Sequence, residues 1–121
     1  MQRASIVLVI LLLCGCGPKP VSYRTQIQPI LNSRCTRCHG GEATRGKIVL
    51  TSYESFMNSK AVSGKGPLVI PGSPYQSRLY IVCSTNQPHF RMPPDTADIA
   101  PLPVSELELV VKWIMQGAKD N

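Results

Sequence analysis

Apolar positions in residues 25–38 recur at the spacing of one face of an α-helix. They fall at i, i+3, i+4 and i+8, a period that predicts a helix over this stretch. Pro29 either occupies the first turn of the helix or kinks it. Gly40 and Gly41 follow directly and predict its end. The apolar positions are Ile27, Ile30, Leu31 and Cys35.

Two shorter helices are predicted in the middle of the chain. Thr51 and Glu54 have the spacing of a capping box, which predicts a helix over residues 52–57. A serine N-cap, followed by proline and then by glutamine at the third position, predicts a second helix over residues 74–83. One side of this helix carries Tyr75, Leu79, Val82 and Cys83.

The last helix has the clearest pattern. Ser105 and Glu108 have capping-box spacing, while Val104 and Leu109 are spaced as a hydrophobic staple. Gly117 predicts the end of this helix. Its predicted buried stripe consists of Leu109, Val110, Trp113 and Ile114.

The apolar segment 68–70 could be misread as a strand. Two prolines flank it and no partner run follows, which argues against a sheet. The chain is therefore predicted to be all-α, with about four short helices joined by long loops.

The N-terminal residues have the pattern of an export signal. Arg3 precedes the apolar run 6–13, which is too short to span a bilayer and is typical of a secretory signal peptide. Leu13-Cys14-Gly15-Cys16 resembles a bacterial lipobox with Cys16 as the lipidated residue, and Cys14 is the weaker candidate. We therefore predict a lipoprotein signal over residues 1–16, a proline-containing tether over 17–24 and one domain over 25–121. The alternative is an ordinary signal peptide with incidental cysteines.

Five residues, Cys35-Thr36-Arg37-Cys38-His39, carry the candidate chemistry. They spell C-x-x-C-H, the attachment signature of c-type haem. One helical turn places the two sulfurs where they can bond to the two vinyl groups of one porphyrin edge. The histidine that follows can then bind the iron as the proximal ligand. One covalently bound haem c is predicted, and it would supply much of the core of so small a domain.

Two other uses of the cysteine pair remain open. A thioredoxin-like redox motif would follow a strand of a βαβ unit, and no such pattern precedes Cys35. A zinc site needs a second pair of ligands at suitable spacing, whereas only Cys83 and His89 remain in the domain. Cys83 is itself interpreted as a small buried hydrophobe.

The formal charge of the whole chain is +6. The basic residues are scattered and form no block with interleaved aromatics, so the sequence gives no indication of a nucleic-acid partner. A basic rim around a haem edge could steer acidic redox partners. An ordinary solvated surface is the alternative interpretation.

The chain resembles class I c-type cytochromes, most closely the small cytochrome c domains of planctomycetes and related bacteria. The resemblance lies in C-x-x-C-H with its preceding helix, the Pro-Gly-Ser-Pro turn at 71–74, the segment Arg91-Met92-Pro93-Pro94 and the closing helix with Trp113-Ile114 and Gly117-Ala118. It implies N- and C-terminal helices that cross near right angles, with shorter helices and loops around the haem.

The resemblance also implies that Met92 is the distal axial ligand. A soft thioether held in a stiff loop, before two consecutive prolines, can be presented to iron with little loss of entropy. His89, three residues earlier, is the main alternative, and Met57 and Met115 are weaker ones. An iron with an open sixth position is the remaining alternative.

These features predict a membrane-anchored electron carrier and not an enzyme, because two axial protein ligands leave no position for a substrate. Its expected partners are periplasmic or membrane redox proteins. The expected location is the periplasmic side of a membrane, and Gly17 after the lipidated cysteine favours the outer over the inner membrane. The alternatives are a five-coordinate haem enzyme or a sensor of peroxide or gas, and a C-x-x-C lipoprotein without haem.

Overall fold

The computed structural model describes residues 17–41, 45–61 and 66–121. These residues form helices and loops and no strand, and one isolated bridge joins Lys60 to Pro67. The predicted all-α class is confirmed. The α-helices are α1 (Gln28–Arg34), α2 (Thr36–His39), α3 (Tyr53–Asn58), α4 (Arg78–Ser84) and α5 (Val104–Met115), with a π-helical turn at Tyr23–Ile27 and 3₁₀ turns at Arg45–Lys47, Pro74–Gln76 and Asp95–Ala97.

The N-terminal helix is divided where one continuous helix was predicted. Pro29 occupies the first turn of α1, and because it has no N–H it cannot bond to the carbonyl four residues back. Gln28 instead donates to the carbonyl of Tyr23, five residues back, which widens the preceding turn into a π-helix. A second break falls at Cys35, whose φ of −124° interrupts the helix between α1 and α2.

The backbone at the end of α2 requires a glycine at position 40. A Cβ at this position would lie 2.3 Å from the carbonyl oxygen of Thr36, a distance that real side chains do not reach. The chain then returns to the helix end, where the N–H of Leu50 donates to the carbonyl of His39 over 2.8 Å. The end of the helix carrying the histidine is therefore fixed by a second segment.

An aromatic cluster joins the two ends of the domain. The ring of Tyr23 lies 5.4 Å from that of Trp113 on α5, and the ring of Phe56 on α3 lies 6.0 Å from Trp113. The Tyr53 hydroxyl donates to the carbonyl of Ala118, and the Trp113 indole N–H donates to the carbonyl of Lys119. Large buried aromatic surfaces dominate the stabilisation of small cores, so this cluster links α3, α5 and the N-terminal turn.

The two middle helices differ from their predicted starts. α3 is capped by Ser52, which forms a reciprocal capping box with Ser55 and not the predicted Thr51–Glu54 pair. The predicted helix over 74–83 is split at Ser77, whose buried hydroxyl accepts from the N–H of Ile70 and donates to the carbonyl of Ser73. Tyr75 consequently lies on the 3₁₀ turn, where it is exposed, and not on one helix with Leu79, Val82 and Cys83 as predicted.

The last helix keeps its predicted stripe but not its predicted cap. Val110, Trp113 and Ile114 are buried and Leu109 is partly buried. Pro103 occupies the N-cap position, two residues before the predicted Ser105, and no side chain caps the helix. Val104 is 71% exposed and does not act as a staple. Gly117 follows its end with a φ of +99°, in the left-handed region.

The predicted tether contributes to the packed domain. Val21 is buried and its N–H donates to the Gln116 side chain over 2.7 Å, whereas residues 17–20 are exposed. The predicted signal peptide, including Cys14 and Cys16, lies outside the described residues. Within the described part, no helix has the length and apolar character needed to cross a bilayer.

The contrast between two valines on α5 yields a stability prediction. Val110 is 2% exposed and Val104 is 71% exposed. Val110→Ala is expected to lower the free energy of unfolding by about 2 kcal/mol through lost burial and a residual cavity. Val104→Ala, the matched control, should change it by less than about 0.5 kcal/mol. Denaturant unfolding of the purified proteins measures both, and equal effects would contradict the described packing of α5.

Candidate functional site

A cavity of about 430 Å³ opens beside the C-x-x-C-H motif. Its volume falls in the range of small-molecule and cofactor sites. Residues from α2, from the segment after Gly46, from α4 and from the loop before the last 3₁₀ turn form its wall. Apolar side chains provide most of the surface: Ile48, Leu50, Ala61, Leu68, Leu79, Val82 and Phe90.

The structure brings most of the predicted site residues to this cavity. Cys35 and His39 line it, and so do both predicted distal candidates, Met92 and His89. Cys38 lies on α2 and is half-buried, outside the lining residues. The wall thus combines a cysteine and a histidine of the motif with a thioether and a second imidazole that lie at least 50 positions later in the sequence.

The two weaker alternatives to Met92 do not line the cavity. Met115 is 62% exposed, as expected for a residue off the buried stripe of α5. Met57 is partly buried and packs against the hydrophobic core. The geometry therefore retains Met92 and His89 as distal candidates without separating them.

Met92 is held in place through its backbone. Its N–H donates to the carbonyl of Val82 on α4 over 2.8 Å. The preceding residues form a turn in which the N–H groups of Phe90 and Arg91 both donate to the carbonyl of Gln87. The Arg91 guanidinium forms an ion pair with Asp95, which closes the loop after the methionine.

An ion pair between Arg34 and Glu106 restrains the chain just before the motif. Arg34, at the end of α1, donates to both carboxylate oxygens of Glu106 on α5 over 3.1 Å each and to the carbonyl of Ala100 over 3.3 Å. A bidentate pair of this kind fixes direction as well as distance. It holds the turn at Cys35 against the first turn of α5.

Burial keeps the two thiols of the cavity wall protonated at neutral pH. It raises the pKa of Cys35 to about 12, and neighbouring Arg34 opposes this shift only in part. It likewise raises the pKa of Cys83 to about 12. Both sulfurs are therefore uncharged at neutral pH, consistent with the apolar character of the wall.

Three wall residues were not singled out as site residues from the sequence. Cys83 is buried as predicted, but it also lines the cavity. Arg78 and Phe90 line it together, with the guanidinium carbon of Arg78 5.5 Å from the centroid of the Phe90 ring. The sequence pattern does not predict that Arg78 and Phe90 meet, because their contact depends on the placement of α4 beside the following loop.

The wall fits a haem group on chemical grounds. A porphyrin is a broad apolar ring, and aliphatic side chains dominate this cavity. Imidazole nitrogen and thioether sulfur are ligands that iron accepts, and both are present in the wall. Within the described residues, no group of three or more His, Cys, Asp or Glu side chains could hold a bare metal ion.

A small all-α domain with C-x-x-C-H beside an apolar cavity has the features of a cytochrome c domain. Comparison with protein families agrees: the model of the Planctomycete cytochrome C family matches residues 35–96, from the first cysteine of the motif to just beyond Met-Pro-Pro. The chain belongs to this family, which implies haem c binding. No curated protein matches the chain, and no solved structure matches it.

The buried thiol of Cys83 predicts a pH dependence of stability. With its pKa raised to about 12, the folded protein keeps a proton that the unfolded chain loses above about pH 8.5. Stability should therefore be fully present below that pH and decline by up to about 1.4 kcal/mol per pH unit as the pH rises toward 12.

Comparison with Cys83→Ala isolates this effect. The variant should lack the decline due to Cys83. The free energy of unfolding of the parent protein, minus that of the variant, should therefore fall steadily from pH 8 to pH 10.5. Burial also raises the pKa of Tyr23 to about 12. This residue is present in both proteins, so its contribution to the difference cancels. Denaturant unfolding at several pH values measures the difference, and a constant difference would contradict a buried, protonated thiol.

Proposed function

We propose that this protein is a membrane-anchored, mono-haem c-type cytochrome that transfers single electrons between redox partners. The observation that carries the proposal is the meeting of four residues at one apolar cavity. Cys35 and His39 of the attachment motif share its wall with Met92 and His89. The family model covers the motif and this later segment together.

Different residues of the site would hold different parts of the haem. Cys35 and Cys38 would bond to the porphyrin through thioether links, and His39 would supply the proximal nitrogen. Met92 is the proposed distal ligand and His89 the alternative. Bound haem supplies one-electron chemistry at its iron. The protein supplies the ligands, and its apolar wall excludes water and so influences the reduction potential.

The chain's own packing favours a carrier over an enzyme. The C=O of Val82 fixes the backbone of Met92, and the Arg91–Asp95 pair restrains the residues that follow. A ligand held in this way can remain bound in both oxidation states with little rearrangement, which suits electron transfer.

Anchoring and partners extend the proposal beyond the described residues. Lipidation at Cys16 would attach the chain to a membrane, and the exposed residues 17–20 would separate the lipid from the packed domain, which begins at Val21. We place the domain on the periplasmic side, with the outer membrane favoured over the inner. Its partners would be periplasmic or membrane redox proteins, and the surplus of basic residues suits acidic ones.

Carbon monoxide binding separates the proposed ligands. The protein, produced with a cytochrome c maturation system, should retain haem on a denaturing gel and, when reduced, bind carbon monoxide slowly at neutral pH. Met92→Ala should bind it rapidly because the sixth position opens. His89→Ala, the matched control, should behave as the parent protein.

The other outcomes each overturn a defined part of the proposal. Absence of haem from the gel would overturn the cytochrome assignment. Rapid binding by the parent protein would show an open iron and favour the enzyme or sensor. If His89→Ala binds carbon monoxide rapidly and Met92→Ala does not, His89 and not Met92 is the distal ligand. Optical spectra before and after addition of the gas provide the measurement.

Membrane attachment has a separate test. Cys16→Ser should abolish incorporation of labelled palmitate, because its thiol is the proposed site of the acyl chains that anchor the protein. Cys14→Ser, the control within the same motif, should leave the labelling unchanged. Loss of labelling in Cys14→Ser and not in Cys16→Ser would show that Cys14 is the lipidated residue.

A further inference from the structure

The tether is bound to the end of α5 by the side chain of Gln116, the C-cap residue of that helix. The Oε1 atom of Gln116 accepts from the N–H of Val21 over 2.7 Å, and its Nε2 atom donates to the carbonyl of Lys19 over 3.4 Å. Pro18 and Pro20 line a cavity together with this glutamine. The segment that leads to the proposed lipidation site is therefore attached to the domain from Lys19 onward.

Asp120 and Asn121 hold the rest of the tether. The backbone carbonyl of Asn121 accepts from the hydroxyl of Ser22 over 2.8 Å and from the N–H of Arg24 over 3.0 Å. The side-chain oxygen of Asn121 accepts from the N–H of Tyr23 over 2.9 Å. The Arg24 guanidinium donates to both carboxylate oxygens of Asp120, over 3.1 Å and 3.3 Å. The second half of the tether is therefore part of the folded domain and not a flexible linker.

We call the bonded residues 19–24 and 116–121 the terminal seam. Three peptide bonds separate Cys16 from Lys19, and an extended chain spans at most about 3.6 Å per residue. The seam therefore begins within about 11 Å of the cysteine that would carry the acyl chains. The headgroup layer of a bilayer is itself about 5–8 Å thick. With the acyl chains inserted, so short a connection places the seam at the membrane surface.

The exposed charges of the terminal seam suit an anionic surface. Lys19 and Lys119 are exposed, and neither takes part in the ion pairs of the described residues. Arg24 is paired with Asp120, so the seam, with three basic residues and one acidic residue, has a net charge of +2. Glu54 shares a cavity wall with Arg24, whereas Lys119 shares one with the prolines of the tether. The unpaired positive charge is therefore concentrated next to the proposed lipid anchor.

We propose that the terminal seam is the membrane-facing surface of the domain, where Lys19 and Lys119 contact the phosphate groups of anionic phospholipids. The proposal rests on the proposed function, because acyl chains at Cys16 are what bring the seam to a bilayer. Each lysine strengthens contact with an anionic surface by about fivefold. None of the described residues that line the cavity at C-x-x-C-H belongs to the seam. The domain is thus held at the membrane in one orientation by residues separate from its redox site.

Fluorescence quenching in reconstituted vesicles tests the proposal. The haem-loaded lipoprotein carries a thiol-reactive fluorophore at Lys112→Cys, one helical turn before Gln116, or at Gln87→Cys, in the loop that precedes Met92; both positions are exposed. Cys83 is buried, and the other cysteines of the mature chain are bonded to haem or lipid, so the introduced thiol is the reactive one. Quenchers attached to lipid headgroups report how close each label lies to the membrane. Comparison with quencher-free vesicles removes the quenching due to haem.

The label at position 112 should be quenched at least about twofold more strongly than the label at position 87, because the seam lies against the headgroup layer. An insertion of about ten glycine and serine residues between Gly17 and Pro18 adds about 17 Å of flexible reach. In phosphatidylcholine vesicles this insertion should make the quenching of the two labels equal. In vesicles with about one-third phosphatidylglycerol the difference should persist in part, because the lysines still hold the seam at the surface.

Paired substitutions in the lengthened protein test the two lysines. Lys19→Gln with Lys119→Gln should abolish the remaining difference in the anionic vesicles. Both residues join the seam through their backbone carbonyls, so the substitutions leave its hydrogen bonds intact. Lys47→Gln with Lys60→Gln, the matched control, removes two exposed lysines outside the seam and should leave the difference unchanged.

The outcomes distinguish this proposal from the proposed function. If the protein incorporates no labelled palmitate, the anchor is absent, and the proposed anchoring and the role of the seam fail together. If palmitate is incorporated but the two labels of the parent protein are quenched equally, the seam does not face the membrane although the protein is a lipoprotein. If the control pair at positions 47 and 60 abolishes the difference as the seam lysines do, overall charge and not the seam contacts the phospholipid, and the assignment of Lys19 and Lys119 is overturned.

Discussion

The meeting of the attachment helix with α4 and its following loop around one apolar cavity is the constraint on which this domain depends. A domain of this size buries limited apolar surface, and its protein-only core is correspondingly small. The aromatic cluster of Tyr23, Phe56 and Trp113 fills one part of that core. The aliphatic residues of the cavity wall form another, and a broad apolar cofactor is the occupant that would bury them.

The chemistry of the site was easier to predict from the sequence than the local backbone. C-x-x-C-H carries its own geometry, because the two sulfurs and the imidazole must share one turn, so the motif alone identified Cys35 and His39 as site residues. The break at Cys35 and the π-helical turn before Pro29 were not predictable in this way. They depend on which backbone carbonyls accept hydrogen bonds once α1 is packed, and the spacing of apolar positions does not contain that information.

Serine residues account for other errors of prediction. Thr51–Glu54 and Ser52–Ser55 are competing capping pairs offset by one residue, and the structure uses the second. At Ser77 the hydroxyl bonds to the backbone of Ile70 and Ser73, and this competition with helical bonding divides the predicted helix. The prediction of Met92 came from family resemblance, whereas the contact between Arg78 and Phe90 depends on the placement of α4 beside the following loop, which a sequence pattern does not contain.

α4 determines the positions of two residues of the cavity wall, Arg78 and Met92. Val82 on this helix fixes the backbone of Met92, and Arg78 lies one turn earlier on the same helix. The helix is itself held at its start, where the N–H of Leu79 donates to the carbonyl of Leu68 over 3.0 Å. A shift of α4 would therefore move the candidate axial sulfur and the guanidinium together. If haem occupies the cavity as we propose, with Met92 as its axial ligand, axial ligation would influence the reduction potential. The position of this one short helix would then affect that ligand and the nearby positive charge together.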